Sequence, residues 1–348
     1  MSEMTVRMDS ASRTERPVAP SGTSAPGPSA PQLTTTVPRE YVHRAALAEV
    51  LLTGWRRIDE ARFSVTGQWP RLHPFFSAVD GLHDPLLAAE TIRQVGSLLA
   101  HAEFGTPLGH HFLLRDLSLT VEPRHLAIGG VPACLELEVF CPQIRRRGGE
   151  LSGLRYEAVV RRDGRTVATG GASFVCAAPA VYRRLRGDRA SRSDVRRPPL
   201  TAPVPPGSVG RSTAYDVVLS PTGEERVWLL RVDTGHPVLF DHPVDHIPGM
   251  VLLEAARQAA NSVLPGGARV LTGFTAEFPR FAELDAECRI GIRPLPERFH
   301  GMSSVLVTGS QEDEPVFTCV VSAPPPGSPA PGPHTSGPHT SGPRVSGL

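Results

Sequence analysis

Lysine is missing altogether from the 348 residues, and all 36 basic side chains are arginine. That absence excludes Schiff-base catalysis, a lysine-anchored cofactor and a P-loop lysine. Cysteine is scarce and unpaired. Cys134, Cys141, Cys176, Cys288 and Cys319 are odd in number and show no C-x-x-C spacing, which argues against a zinc site or a disulfide framework and for a reducing compartment. Net charge is almost absent too: 36 basic residues nearly cancel 35 acidic ones, so no global field draws the chain to nucleic acid or to an anionic membrane. Any anionic ligand must be met by local groups. No stretch approaches the roughly 20 apolar residues that span a bilayer, and the N-terminus lacks the apolar core of a signal peptide. A cytoplasmic location is expected, with no metal and no cofactor.

What is present is enough apolar material, 40% of the residues, to build real cores. Residues 1–36 are dominated by Ser, Thr, Pro, Ala and Gly and cannot offset their ordering entropy by burial, so a disordered tail is expected there. The same holds for 324–348, where a tandem GPHTS copy makes His334 and His339 tail residues rather than metal ligands. A third break, 187–207 (GDRASRSDVRRPPLTAPVPPG), reads as a linker between a first domain, 37–186, and a second, 208–323.

The two parts repeat each other. VHRAALAEVLLT, from Val42, matches VGRSTAYDVVLS, from Val209, with Arg44 opposite Arg211 and Glu49 opposite Asp216. HPFF, from His73, faces HPVLF, from His236, in the same order. Next, HDPLLAAETIRQVGSLLA faces IPGMVLLEAARQAANSVL, and Glu90, Arg93 and Gln94 align without a gap on Glu254, Arg257 and Gln258. The apolar spacing of these stretches predicts a helix, opened by Pro85 in one copy and Pro248 in the other. Four strand-like runs follow each helix, and some strand material precedes it. The expected fold class is α+β, with a curled antiparallel sheet wrapped round a central helix, twice over.

Glu, Arg and Gln at i, i+3 and i+4 share one helix face. On a helix that is apolar nearly all round, such groups must be paired or face a ligand cavity. Spacing alone leaves two roles open, an ion pair that holds the halves together or a functional site. His43, His101, His110, His111 and His125 are expected to cap or pack. Ahead of the second helix, LFDHPVDHIPGMVLLE places His242 and His246 twelve and eight residues before Glu254, with Pro248 and Gly249 opening the helix. Backbone N–H groups at such a start could polarise a thioester carbonyl.

HIPGMVLLEAARQ resembles the central-helix signature of hot-dog fold dehydratases and thioesterases that act on acyl-carrier-protein substrates. The whole chain from about 37 to 323, with HPFF, DPLLAAETIRQ and DHPVDHIPGM, resembles more closely the A-factor biosynthesis (AfsA-type) γ-butyrolactone synthases. That resemblance implies a tandem double hot-dog enzyme of the bacterial cytoplasm. It would transfer a 3-oxoacyl group from acyl carrier protein to the hydroxyl of dihydroxyacetone phosphate, on the way to a butyrolactone, butenolide or furan signal. It also implies that Glu90 and Arg257 are essential. The sequence departs from the dehydratase pattern by two fewer residues between His242 and the P-G step.

The catalytic candidates are therefore Glu90, Arg257, Glu254 and His242, and the substrate-binding candidates Arg93, His246, Gly249 and Gln258. Glu90 is expected to act as general base, completed by Arg257 from the other half in one asymmetric site. Arg257, or else Arg93, is expected to bind phosphate. Loss of Glu90 is expected to spare folding. Two rivals remain, a dehydratase or thioesterase using His242 and Glu254, and a non-catalytic acyl-binding protein. A double chain already supplies both halves, so monomer and homodimer are both open.

Overall fold

A computed structural model describes residues 35–190, 197–264, 271–296 and 303–324. The tails expected to be disordered lie outside the described residues except for Thr35, Thr36 and Pro324, as does part of the linker. The first half contains β1 (Leu52–Arg57), β2 (Arg62–Trp69), α1 (Pro85–Ala102), β3 (His111–Val121), β4 (Ala133–Arg147), β5 (Glu150–Arg162), β6 (Arg165–Ala177) and α2 (Pro179–Arg186). The second contains β7 (Leu219–Pro221), β8 (Val227–Leu230), α3 (Gly249–Val263), β9 (Gly273–Glu277), β10 (Arg289–Pro294), β11 (Ser303–Gln311) and β12 (Glu314–Ala323).

All strands of the described residues belong to one 12-stranded sheet in the order β1-β2-β4-β5-β6-β3-β9-β12-β11-β10-β8-β7. From either outer edge inward the halves therefore follow the same path. They meet where β3 pairs antiparallel with β9, Leu117 opposite Ala276 and Leu119 opposite Phe274, so each half covers the other's open edge. β4 begins with strict alternation of buried and exposed residues from Ala133 to Phe140, the period-2 signature of a sheet with one face on a core.

The helix α1 is buried everywhere except at Arg93 and Ala102. It starts at Pro85 behind an Asp84 N-cap, whose Oδ1 accepts from the Leu86 N–H at 2.8 Å. At Gly96 the sheet comes so close that an added Cβ would lie 2.7 Å from the Tyr156 hydroxyl oxygen, and that hydroxyl donates to the Ile92 carbonyl at 2.8 Å. The architecture is the helix-in-sheet arrangement expected from the repeat.

One element escaped the sequence reading. α2 carries a short polar pattern, YRRLR, with no apolar period to announce a helix, yet its Arg186 side chain is only 2% exposed. Arg186 donates to Asp245 at 2.9 Å and to both Glu283 oxygens at 2.6 and 2.8 Å, and thereby clamps the end of the first half onto the second. Among the described residues no helix is long and apolar enough to cross a membrane.

Candidate active site

The E-x-x-R-Q motif builds the same cluster in each half. Glu90, 1% exposed, is held by Arg44 at 2.7 Å, by Arg93 at 2.7 and 2.8 Å, and by the Gln94 amide at 2.8 Å. Glu254, fully buried, is held by Arg211 at 2.8 Å, by Arg257 at 2.6 and 3.0 Å, and by Gln258. Burial would raise each carboxyl pKa, but the paired guanidiniums outweigh it and lower both to about 2.

Each glutamine spends its amide on the backbone before its helix. Gln94 accepts from Leu51 N–H and donates to the Glu49 carbonyl; Gln258 accepts from Val218 N–H and donates to the Asp216 carbonyl. The H-P loops cross between halves: Arg44 donates to the Val238 carbonyl at 3.4 Å and Arg211 to the Phe75 carbonyl at 2.6 Å.

These clusters correct the expectation of a site shared by Glu90 and Arg257. Each pairs inside its own half, with the partner at i+3 on the same helix and with an arginine from the segment before it, Arg44 for Glu90 and Arg211 for Glu254. Glu254 and Gln258 likewise have no free edge, so the pairing of Glu254 with His242 expected of a dehydratase is not assembled. His242 lies by Asp241 instead, Nδ1 to Oδ2 3.4 Å. Losing Glu90 would leave Arg44 and Arg93 without their shared counter-ion, which argues against the expectation that folding is spared.

The two clusters differ in access. A cavity of about 410 Å³ lies where the halves meet, and Arg44, Arg93, His242, His246 and Gly249 line it, while Glu90, Glu254, Arg257 and Gln258 do not. Phe75 explains the closure of the other side: its ring stacks 4.2 Å from the Arg211 guanidinium, where the corresponding position beside Arg44 is the smaller Val238. Arg93 is 21% exposed against 4% for Arg257, and its Nη1 bonds to no described protein group.

The helix starts differ as well. Asp84 caps α1, whereas Pro248 stands at the N-cap of α3, has no side chain to offer the free amides, and lines the cavity with Gly249 and Met250. The remaining walls are largely apolar, including Leu114, Phe174, Leu239, Phe278 and Phe281. His246 donates through Nδ1 to Asp245 at 2.8 Å, a carboxylate that Tyr182 and Arg186 also bind and that lies well below its ordinary pKa because of these donors.

Several lining residues were passed over in the sequence. Arg44 was visible as a repeat partner of Arg211 but carried no motif, and His43, His110 and His111 line the cavity although packing was expected of them. Tyr182 arrives on the unforeseen α2.

Two helix-wrapping sheets joined edge to edge around one cavity define a double hot-dog protein. The chain belongs to the A-factor biosynthesis hotdog family, whose domain model matches residues 27–178 and 193–321. It is 55% identical over 289 residues to the 2-oxo-3-(phosphooxy)propyl 3-oxoalkanoate synthase of Streptomyces virginiae, covering 83% of this chain and 98% of that one. The proteins of the same name from Streptomyces griseus and Streptomyces coelicolor are 45% and 44% identical, covering 82% and 84% of this chain and 94% and 93% of theirs. Among solved structures, the 12:0-ACP thioesterase of Umbellularia californica is 14% identical, covers 75% of this chain and 93% of that one, and has a TM-score of 0.44. A putative oleoyl thioesterase of Lactobacillus plantarum is 12% identical, covers 78% and 97%, and has a TM-score of 0.47.

Proposed function

We propose that this chain is an acyltransferase that moves a 3-oxoacyl group from a carrier-protein thioester to the hydroxyl of dihydroxyacetone phosphate, forming a 2-oxo-3-(phosphooxy)propyl 3-oxoalkanoate. The observation that carries this reading is one cavity with a free guanidinium edge at Arg93 and an uncapped helix start at Gly249, between apolar walls. It fits the activity named for relatives at up to 55% identity.

The phosphate would bind at Arg93 and Arg44, whose planar N–H forks match its oxygens. Glu90 does not reach this cavity, and both its oxygens are taken by the arginines, so its part is to aim and hold the two guanidiniums. The thioester oxygen would lie against the first amides of α3, where the helix dipole and the free N–H groups favour developing negative charge. The apolar walls would take the acyl chain. Exposed Arg115 and Arg280 at the rim suit an acidic carrier protein, and a carrier-bound donor fits a cytoplasmic setting.

Incubation with a 3-oxoacyl carrier protein, with and without dihydroxyacetone phosphate, tests the proposal by mass spectrometry. An ester mass that requires both substrates supports acyl transfer. Thioester loss without the phosphate would mean hydrolysis, and no turnover would mean binding alone.

A further inference from the structure

We propose that His43 is the general base of this acyl transfer, taking the hydroxyl proton on Nδ1, and that His101 is the residue that fixes its ring. The inference rests on the acyl-transfer reading above and adds the group that moves the proton.

The hydrogen-bond chain dictates the tautomer. His101 Nδ1 lies 2.7 Å from the Thr106 carbonyl oxygen, which can only accept, so Nδ1 carries the hydrogen. Both rings are held neutral, His43 because burial and the nearby Arg93 guanidinium lower its pKa to about 3, and His101 because burial lowers its own. The other nitrogen of His101 is then an acceptor, and it lies 2.8 Å from His43 Nε2. His43 Nε2 must therefore be the donor, which leaves Nδ1 as an unprotonated lone pair. That nitrogen has no partner among the described residues, and the ring lines the cavity with Arg44 and Arg93. Phe112 stacks on the imidazole at 4.7 Å and keeps it in place.

The backbone gives an independent sign. His43 has φ 54, in the left-handed region that disfavours side chains, and the repeat places Gly210 opposite it with φ 72. The second half thus solves the same turn with the residue suited to it, and Asn261 occupies the space beside that glycine, where a Cβ would fall against the amide. Only the half whose cavity is open keeps a histidine there, against its backbone preference. Glu90 is no substitute, since both its oxygens are engaged.

The chemistry balances. The hydroxyl oxygen bonds to the thioester carbon, the C–S bond breaks, the hydroxyl proton passes to His43 Nδ1, and from there to the departing thiolate sulfur. The enzyme ends as it began. A phosphate on Arg93 would offset one of the positive charges that disfavour the imidazolium, so substrate binding would strengthen the base.

The test compares wild type with His43→Gly, a substitution that suits the left-handed backbone, using 3-oxoacyl carrier protein and dihydroxyacetone phosphate. The expected result is a kcat lower by roughly 10²–10⁴-fold, the span of a general base, with KM for dihydroxyacetone phosphate little changed and partial recovery on adding imidazole. An undiminished kcat, or a loss that imidazole does not repair, overturns the proposal. Inactive wild type would instead overturn the acyl-transfer reading beneath it. Independently of activity, ¹⁵N NMR of the histidines should show His101 protonated at Nδ1 and His43 at Nε2, with the His43 signal altered in His101→Phe; the reverse tautomers would also overturn it.

Discussion

Arg93 grips both carboxylate oxygens of Glu90 from one turn along the same helix, through Nε at 2.8 Å and Nη2 at 2.7 Å. Arg257 holds Glu254 in the same way, at 3.0 and 2.6 Å, but only Arg93 opens onto the cavity. Equal local geometry thus serves unequal ends, because access is set by what the other half lays over each arginine.

Arg93→Ala should therefore raise KM for dihydroxyacetone phosphate at least about tenfold, the loss of one charge-assisted contact, while Arg44 keeps Glu90 paired. Arg257→Ala should instead lower stability by about 3–5 kcal/mol, as removal of one member of a buried pair does, with KM unchanged in the protein that remains folded. Steady-state kinetics beside urea unfolding measures both. Equal KM effects of the two substitutions would contradict the assignment.

Acid should unfold the protein through Glu90 and Glu254. Their folded pKa values, about 2, lie below the ordinary 4.5, so between these limits the unfolded chain binds more protons than the folded one. Stability is then fully present above about 4.5 and falls as pH drops toward about 2, by an amount on the order of 3 kcal/mol per carboxylate. Urea unfolding across that range checks the slope, which Glu254→Gln should make shallower.

Thiol chemistry should see one cysteine. Cys134 is exposed, whereas burial pushes the thiols of Cys141, Cys176 and Cys288 up to about 12 and that of Cys319 higher still. Labelling the native protein with a thiol reagent should modify Cys134 alone, and unfolding should release the other four. Rapid native labelling of a second cysteine would refute this.

Arg186→Ala should free α2 from the second half. The substitution strips two carboxylates, Asp245 and Glu283, of their shared cation, at a cost of about 3–5 kcal/mol. Limited proteolysis should then cut near residues 179–190 faster than in wild type, and an unchanged cleavage rate would show that the clamp is dispensable.

By itself the sequence determined the duplication, the two central helices and the positions of Glu90, Arg93, Glu254 and Arg257 along them. Period and spacing are local properties, and a gapless i, i+3, i+4 motif fixes which side chains share a helix face whatever surrounds it. The strand runs were legible for the same reason, and α2 was not, because what buries Arg186 is a pair of carboxylates some 60 and 100 residues away in sequence. Only the tertiary structure decided which arginine meets the cavity, since that depends on Phe75 and Val238 crossing the β3–β9 join from opposite halves. It also decided that Glu90 pairs inside its own half, with Arg44 and Arg93, rather than with Arg257, and that the His43 ring lines the cavity. These are matters of packing between segments far apart in the chain, on which spacing along it carries no information.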